Sequence, residues 1–593
     1  MNKIEFKQTS NIFINTGIVA LYRYLKKYAL RFPEKYTILQ NELQKNTLIV
    51  ECDNLLPLLE DVYYFMGTEI YDTVTTKQIE EAKNNKANFY YNIEKNFFKS
   101  FPKINTYGLT HLLTNNAQGN TRRPENTDKI KNLGKNNPEL ALIIKNHFEE
   151  NKVKLLSKVY FNEPYTKITR LDINKDYLIE GNQKCPILNE SFKKMVEGKN
   201  ISPFIGGLSN FNSFLNSSDK KISWKAMYLI RFSPVLAFYH YKNKKKVYDT
   251  LICNFFNSNN LQNINSFYNP ELFKSKIELE QQKPLPYNSN FNFFNFSYTK
   301  KDKESYSVES SRDTIYTSEI SFLLLYTFYK RNFETEISKG TTVKENIPDP
   351  FSNHPLEKIP ISIITFKAES FASTMRPNEY EEFNNIKFIF RLIYKLEHNE
   401  IEENKALIKD IWYGLKIKTP KSNALKFDKS RSEERKIRAK VFEYLLKGKS
   451  IINEIEKLFY NSYKYKMENF DVGYRNYKTL LNFLLIYEQS LKINIMDEKL
   501  QHKAINLGKS IGQGILRFNN EDRKTNAKAG RKYLIGLHKS RTLLQFMDNL
   551  YRVANKYSVS TSNEILENID EDNFQLIRQF VLISALNQIN SVI

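Results

Sequence analysis

The sequence predicts an α+β protein: a mixed N-terminal region with short antiparallel strands and a β-hairpin, followed by a C-terminal antiparallel helical bundle. Three observations predict it. Runs such as "NTLIVEC" and "TLICNFF" are short, apolar and rich in β-branched and aromatic residues, as strands are. Beyond about residue 425 the apolar residues recur instead at helical spacing over much longer stretches. Prolines stop altogether at Pro420, so nothing interrupts those stretches.

The chain has 593 residues, and at about 100–200 residues per domain it divides into two to four domains. Breakers sort it into three regions. In the first, 1–180, "TGIVALYRYLKKYALRF" places Ile18, Leu21, Tyr22 and Leu25 on one face behind a Thr16 cap and predicts an amphipathic helix. "NTLIVEC" follows as a strand.

The second region, 181–420, contains "AMYLIRFSPVLAFYHYKNKKKVYDTLICNFF", two β-prone runs around a basic tip, which predicts a hairpin with Pro234 confining its first strand to an edge or bulge. The Asn-rich stretch from Asn257 to Asp313 and the Pro-rich one from Asn346 to Pro360 read as exposed loops. The third region, 425–593, reads as five successive helical segments joined by short polar turns.

Net charge is +23, which points to a polyanionic partner because Lys and Arg that neutralise phosphates release condensed counterions. Lys, Asn, Ile, Phe and Tyr are also the residues that AT-rich codons favour, so coding bias accounts for part of it. Distribution is more informative than the total. Between Lys499 and Lys556 stand 13 Lys or Arg against three acids, whereas the stretch from Ser558 onward has one Arg and five acids. A solvated helix face explains such a concentration, and so does a phosphate-tracking surface.

Three well-separated cysteines, Cys52, Cys185 and Cys253, make neither a disulfide framework nor a four-cysteine zinc site. The start "MNKIEFKQTSNIF" carries no export signal, and the longest apolar run, "ISFLLLYTFY", is about half of what a bilayer crossing needs. A cytoplasmic protein without membrane partners is expected. "KCPILNESF" begins like half of a zinc knuckle, but Leu188 stands where the second thiol would be. Cys185 is therefore expected to be a small buried residue in a turn fixed by Pro186, with no metal and no other cofactor.

Two polar segments suit nucleic acid. In "NISPFIGGLSNFNSF", the Gly206–Gly207 pair permits close backbone approach, Asn210, Asn212 and Ser213 offer base-edge or phosphate contacts, and Phe204, Phe211 and Phe214 offer stacking platforms. An ordinary Gly turn with inward Phe residues fits the same letters. In "LLTNNAQGNTRRPENTDK", Asn115, Asn116, Gln118 and Asn120 suit adenine edges, and Arg122 and Arg123 suit guanine or phosphate; a plain surface loop fits equally. On the basic helical segment the candidates are Lys524, Lys528, Arg531, Lys532, Lys539 and Arg541. No phosphate-cradling GxxxxGK[ST], GxGxxG or HExxH motif is present. The one enzymatic alternative is a helical-domain ribonuclease using Arg531 and His538, seven residues apart and so on one helix face.

Four segments, "NIFINTGIVALYRYLKK", "KCPILNESFKKM" with "ISPFIGGLSNFNSF", "WKAMYLIRFSPVLAFYHY" and "RKYLIGLHKSRTLLQFMDNLYRV", stand in the order found in the large subunit of type I-B CRISPR interference complexes (Cascade), and the chain resembles that divergent family from Asn11 to about Val553. The resemblance implies a non-enzymatic subunit that binds the 5′ end of a guide RNA, checks the motif flanking the target in double-stranded DNA, helps open the duplex and presents it to a transiently recruited helicase-nuclease. Base pairing by the guide reads the target itself. It also implies backbone, 5′-handle and small subunits as partners, the small one made in related systems from an internal start, for which Met467 and Met496 are candidates. Relatives often carry CxxC pairs at the knuckle, and the missing thiols here put their zinc in doubt.

Overall fold

The structure is a computed structural model. It describes residues 2–70, 173–197, 221–242, 250–268, 316–330, 359–371, 374–398, 406–416, 427–470, 476–491, 496–519, 521–561 and 563–593, with a few short pieces between 73 and 166. Asn115, Asn116, Gln118, Asn120, Arg122, Arg123, Asn210, Asn212 and Ser213 lie outside the described residues, as do the tip of the predicted hairpin and most of the two predicted loops. The fold is α+β, with small antiparallel sheets in the N-terminal part and helices in the C-terminal part. The chain divides into two compact units, residues 1–292 with 356–382, and residues 293–355 with 383–593.

In the first unit, β1 (Lys3–Lys7), β2 (Ile38–Leu43) and β3 (Thr47–Cys52) form an antiparallel sheet in the order β1-β3-β2. Its helix α1 (Ile12–Arg31) begins earlier than Thr16 because Asn11 caps it, accepting hydrogen bonds from the amides of Phe13 at 2.9 Å and Ile14 at 3.3 Å. Thr16 is interior, its hydroxyl bonded back to the Ile12 carbonyl at 2.7 Å. Helix α2 (Leu55–Ile70) follows β3. Beyond four further short strands between Thr73 and Thr166 and a 3-10 turn at Lys175–Tyr177 come two more short strands, β4 (Gln183–Lys184) and β5 (Ser191–Phe192).

Where a first hairpin strand is predicted, Trp224–Phe232 forms helix α3. Ser223 caps it through the Ala226 amide at 3.1 Å, and all nine of its residues are buried. Burial on every side erases the polar face that marks a helix in sequence, leaving an apolar run that reads as a strand. Pro234 opens a short 3-10 turn rather than interrupting a strand. The predicted hairpin is nonetheless present one step later as β6 (Phe238–Lys242) and β7 (Thr250–Asn257). With β8 (Ser362–Phe371) and β9 (Thr374–Phe383) they form a four-stranded sheet in sequence order, β6 at an edge. The beginning of the predicted Asn257–Asp313 loop is also helical: Asn260 caps α4 (Leu261–Phe267), which buries Leu261, Ile264 and Phe267.

Close packing joins α1 to α3. A Cβ on Gly17 would collide with the Leu229 carbonyl, so only glycine allows the two backbones to meet there. Tyr228 donates to the Leu59 carbonyl at 2.8 Å and stacks on Trp224 at 4.7 Å, which ties α2 to the same core.

The second unit is helical. It comprises α5 (Thr317–Tyr329), α6 (Ile386–Glu397), α7 (Ile408–Gly414), α8 (Phe427–Leu446), α9 (Ile452–Met467), α10 (Tyr477–Ser490), α11 (Glu498–Arg517), α12 (Arg523–Lys539), α13 (Leu543–Tyr557), α14 (Asn563–Asn568) and α15 (Phe574–Val592). Two of the five predicted segments are each two helices. Gly448, in the left-handed region at φ 63°, separates α8 from α9, and Thr542 starts α13 by accepting from the Gln545 amide at 3.3 Å. Helices α5 to α7 pack with this unit although the sequence groups them with the second region.

The apolar run "ISFLLLYTFY" is α5, buried throughout; among the described residues no helix is long and apolar enough to cross a membrane. Helix α15 is central and nearly all buried. Gly508 and Gly512 on α11 let it approach: a Cβ at Gly512 would stand 2.7 Å from the Ala585 carbonyl.

Candidate nucleic-acid interface

The basic segment of the sequence becomes α12. Asp522 caps it, accepting from the amides of Lys524 at 2.8 Å and Thr525 at 3.1 Å. Ala527, Gly530, Leu534 and Leu537 recur at helical spacing and are buried; Gly530 is needed because a Cβ there would meet Ile515 at 2.6 Å. Asn526, also buried, ties the preceding turn by donating to the Leu516 carbonyl at 3.2 Å.

With that stripe fixed inward, Lys528, Arg531, Lys532 and Lys539 are exposed and Lys524 is half-exposed. Lys524, Lys528 and Lys532 are four residues apart, so their Cα atoms follow one another at about 6 Å along the axis. Arg541 stands exposed just past the helix. Among the described residues none of these six makes an ion pair, although Lys532 lies over the Tyr533 ring at 5.0 Å. The structure thus brings the six predicted cations onto one helix and its end, and leaves them available to a polyanion.

The inner flank of α12 rests on a buried charge cluster. Glu456 of α9 receives His538 Nδ1 at 2.8 Å, Arg578 Nη1 at 3.0 Å and Gln579 Nε2 at 2.8 Å. Burial alone would raise the Glu456 carboxyl; His538, Arg578 and Gln579 more than offset it and hold the group below the usual glutamate range. The His538 ring also stacks on Tyr460 at 4.3 Å with 14° between planes. Arg531 sits close enough to Tyr460 and Tyr463 for its charge to act on both phenols against the effect of burial.

His538 stacks on the Tyr460 ring and Arg531 acts on the same phenol through its charge, but the two differ in state. Arg531 is exposed, while His538 is half-buried and held by Glu456. The sequence reading missed Glu456, Tyr460 and Arg578. Helical periodicity marks each as part of a helix, but nothing in a linear pattern says which faces of α9, α12 and α15 meet.

The half-knuckle has a structural explanation. β4 and β5 pair as a hairpin whose turn is closed by the Cys185 amide donating to the Glu190 carbonyl at 2.8 Å. Asn189 takes a left-handed φ of 56° in that turn. The Cys185 sulfur is fully buried and accepts the Ser223 amide at 3.3 Å, while Leu188 is half-buried. Cys253 is buried in β7, and no group of three or more His, Cys, Asp or Glu that could hold a metal occurs among the described residues.

Compared with known proteins, the sequence matches no family model and no curated protein.

Proposed function

We propose that the chain is the non-catalytic large subunit of a type I-B RNA-guided CRISPR surveillance complex in the cytoplasm. In this reading it binds the 5′ end of the guide RNA, recognises the flanking motif in double-stranded DNA, stabilises the opened duplex and presents it to a helicase-nuclease. The order of the four segments carries the family reading. The α12 cations, which make no ion pair among the described residues, support the reading: as an exposed strip they would bind backbone phosphates by charge. Direct readout of the flanking motif falls to Asn210, Asn212 and Ser213, with Asn115 to Arg123 as the second candidate.

Co-purification with a short repeat-derived RNA and the neighbouring subunits tests the proposal. The chain should assemble on that RNA. Asn210→Ala with Asn212→Ala should weaken binding to DNA that carries the flanking motif while sparing non-specific binding; uniform loss would reassign these residues to phosphate contact or folding. Salt-sensitive binding without assembly on a guide would sink the proposal in favour of a plain nucleic-acid scaffold.

A ribonuclease is the second reading, favoured by one observation: Glu456 engages His538 Nδ1 and fixes the ring on the same helix as the exposed Arg531. RNA degradation by purified protein, lost in His538→Ala, would establish it and remove the non-catalytic reading.

A further inference from the structure

We infer that the seam between α9 and α12 is a binding site for single-stranded nucleic acid, in which Tyr460 meets an unpaired base and cations of both helices hold the backbone. The inference rests on the nucleic-acid reading of α12 and adds to it a strand preference and the participation of a second helix. Contacts between the two helices define the seam. Tyr463 donates to the Ala527 carbonyl at 2.8 Å near one end, and Glu456 meets His538 at 2.8 Å near the other, so the helices run antiparallel.

Tyr460 lies between those two contacts, half-buried, with one ring face against His538 and Arg531 close by. Its hydroxyl makes no hydrogen bond among the described residues. Lys464 is exposed one turn on from Tyr460 and so on the same side of α9, and Lys457 is exposed one turn before, drawn at 3.5 Å to Glu454. On α12, Lys528 and Arg531 are exposed and Lys524 is half-exposed. The sequence shows only the α12 side of this arrangement.

The aromatic residue selects the occupant. A duplex presents phosphates outward with its bases paired and stacked inside, and the cations of α12 suffice to bind it. An aromatic ring near exposed cations adds binding energy only for a base that is free to reach it, the combination used by proteins that hold single strands. His538, anchored by Glu456 and stacked under Tyr460, fixes the ring before the strand arrives. It acts as a positioning residue.

Anisotropy titrations of a labelled oligothymidylate and of a duplex of equal length, with the full chain over a salt series, test this. Tyr460→Leu keeps an apolar contact for His538 and should weaken single-strand binding about tenfold while leaving duplex binding unchanged. Lys464→Ala, on an exposed side chain, should lower the salt slope for the single strand by about 0.7. Should Tyr460→Leu fail to fold, as read by its thermal melt, Lys464→Glu replaces it and should weaken the single strand more than Arg552→Glu on α13 does.

Equal loss for both nucleic acids, or no loss with either variant, overturns the seam and leaves the α12 strip standing. If the unaltered chain binds neither, the nucleic-acid reading of α12 falls first and the seam with it.

Discussion

Four buried or half-buried cations of the first unit and the exposed cations of α12 are the same residue types put to opposite uses. In the first unit, Arg23 donates to the Asn265 side chain and the Tyr268 carbonyl, each at 2.7 Å, and burial pushes its guanidinium down to about 10. Arg231 donates to the Tyr63 hydroxyl at 2.7 Å, Lys225 pairs with Glu190 at 2.9 Å, and Lys367 pairs with Glu379 at 2.6 Å. These charges are consumed in joining elements, distant in sequence for Arg23, Arg231 and Lys225 and neighbouring for Lys367. On α12 the cations face solvent without acidic partners among the described residues, while its apolar stripe holds the helix in place. A net charge of +23 therefore does not locate a binding surface. The cations left over after the fold has used its share are the candidates for one.

If that division is right, removing a partner from a buried cation should damage the fold, and removing an exposed cation should damage only binding. The largest effect is expected from shortening the chain. A product begun at Met467 or Met496 would lack Glu456 and strand the buried Arg578, as well as uncovering the face of α15 that α9 packs on. Expressed alone it should aggregate; a folded, monomeric product by circular dichroism and light scattering would show that α9 is dispensable, and would restore an internal start as the source of a free-standing small subunit.

Glu319→Ala comes next. It leaves Arg438, wholly buried and bonded to Glu319 at 2.8 Å, without its carboxylate, and should cost about 3–5 kcal/mol in a denaturant titration. A cost below about 1 kcal/mol would mean that water or another group compensates, and the contrast with α12 would weaken.

A pH titration sharpens the same point. The Glu456 carboxyl is depressed, so it contributes stability above its unfolded value near 4.5, and that contribution is lost as pH falls through the folded value. The stability advantage of the unaltered protein over Glu456→Gln should therefore shrink as the solution is taken below about pH 4.5. A constant difference would mean that Glu456 acts through packing rather than charge.

The smallest effect on stability belongs to α12. Lys528→Ala with Arg531→Ala should change unfolding by no more than about 0.5 kcal/mol, yet should lower the salt slope of duplex binding by about 1.8. Arg552→Ala, which breaks an exposed pair with Asp548 at 3.0 Å, is the control: a cost under about 1 kcal/mol and no change in slope. Should the α12 double variant unfold instead, its cations would belong with those of the first unit.

Amphipathic helices were the most legible part of the sequence. The buried and exposed stripes of α12 follow from Ala527, Gly530, Leu534 and Leu537 at helical spacing, and with them the outward direction of Lys528, Arg531 and Lys532. The strand Thr47–Cys52 was equally plain, because a short apolar run with β-branched residues suits a pleated strand. Trp224–Phe232 was illegible for the opposite reason, since burial on all sides removes the periodicity on which such readings depend. The Asn11 cap was overlooked because Thr16 offered a second capping letter within the same turn of argument, and only the backbone of Asn11, extended at φ −86° and ψ 119°, decides between them.

By itself the sequence determined the fold class, the concentration of positive charge in one stretch of the C-terminal helices, and the inability of Cys185 to complete a four-thiol site. All of these depend on local composition and spacing, which a chain carries before it folds. Tertiary structure alone decided that Glu456 and Arg578 converge on His538, that Tyr460 lies beside Arg531, and that the Ser223 amide reaches the Cys185 sulfur. Those pairs are separated by dozens of residues or more, and their meeting is set by which helix faces and turns pack together, a property of the whole core that no stretch of sequence contains.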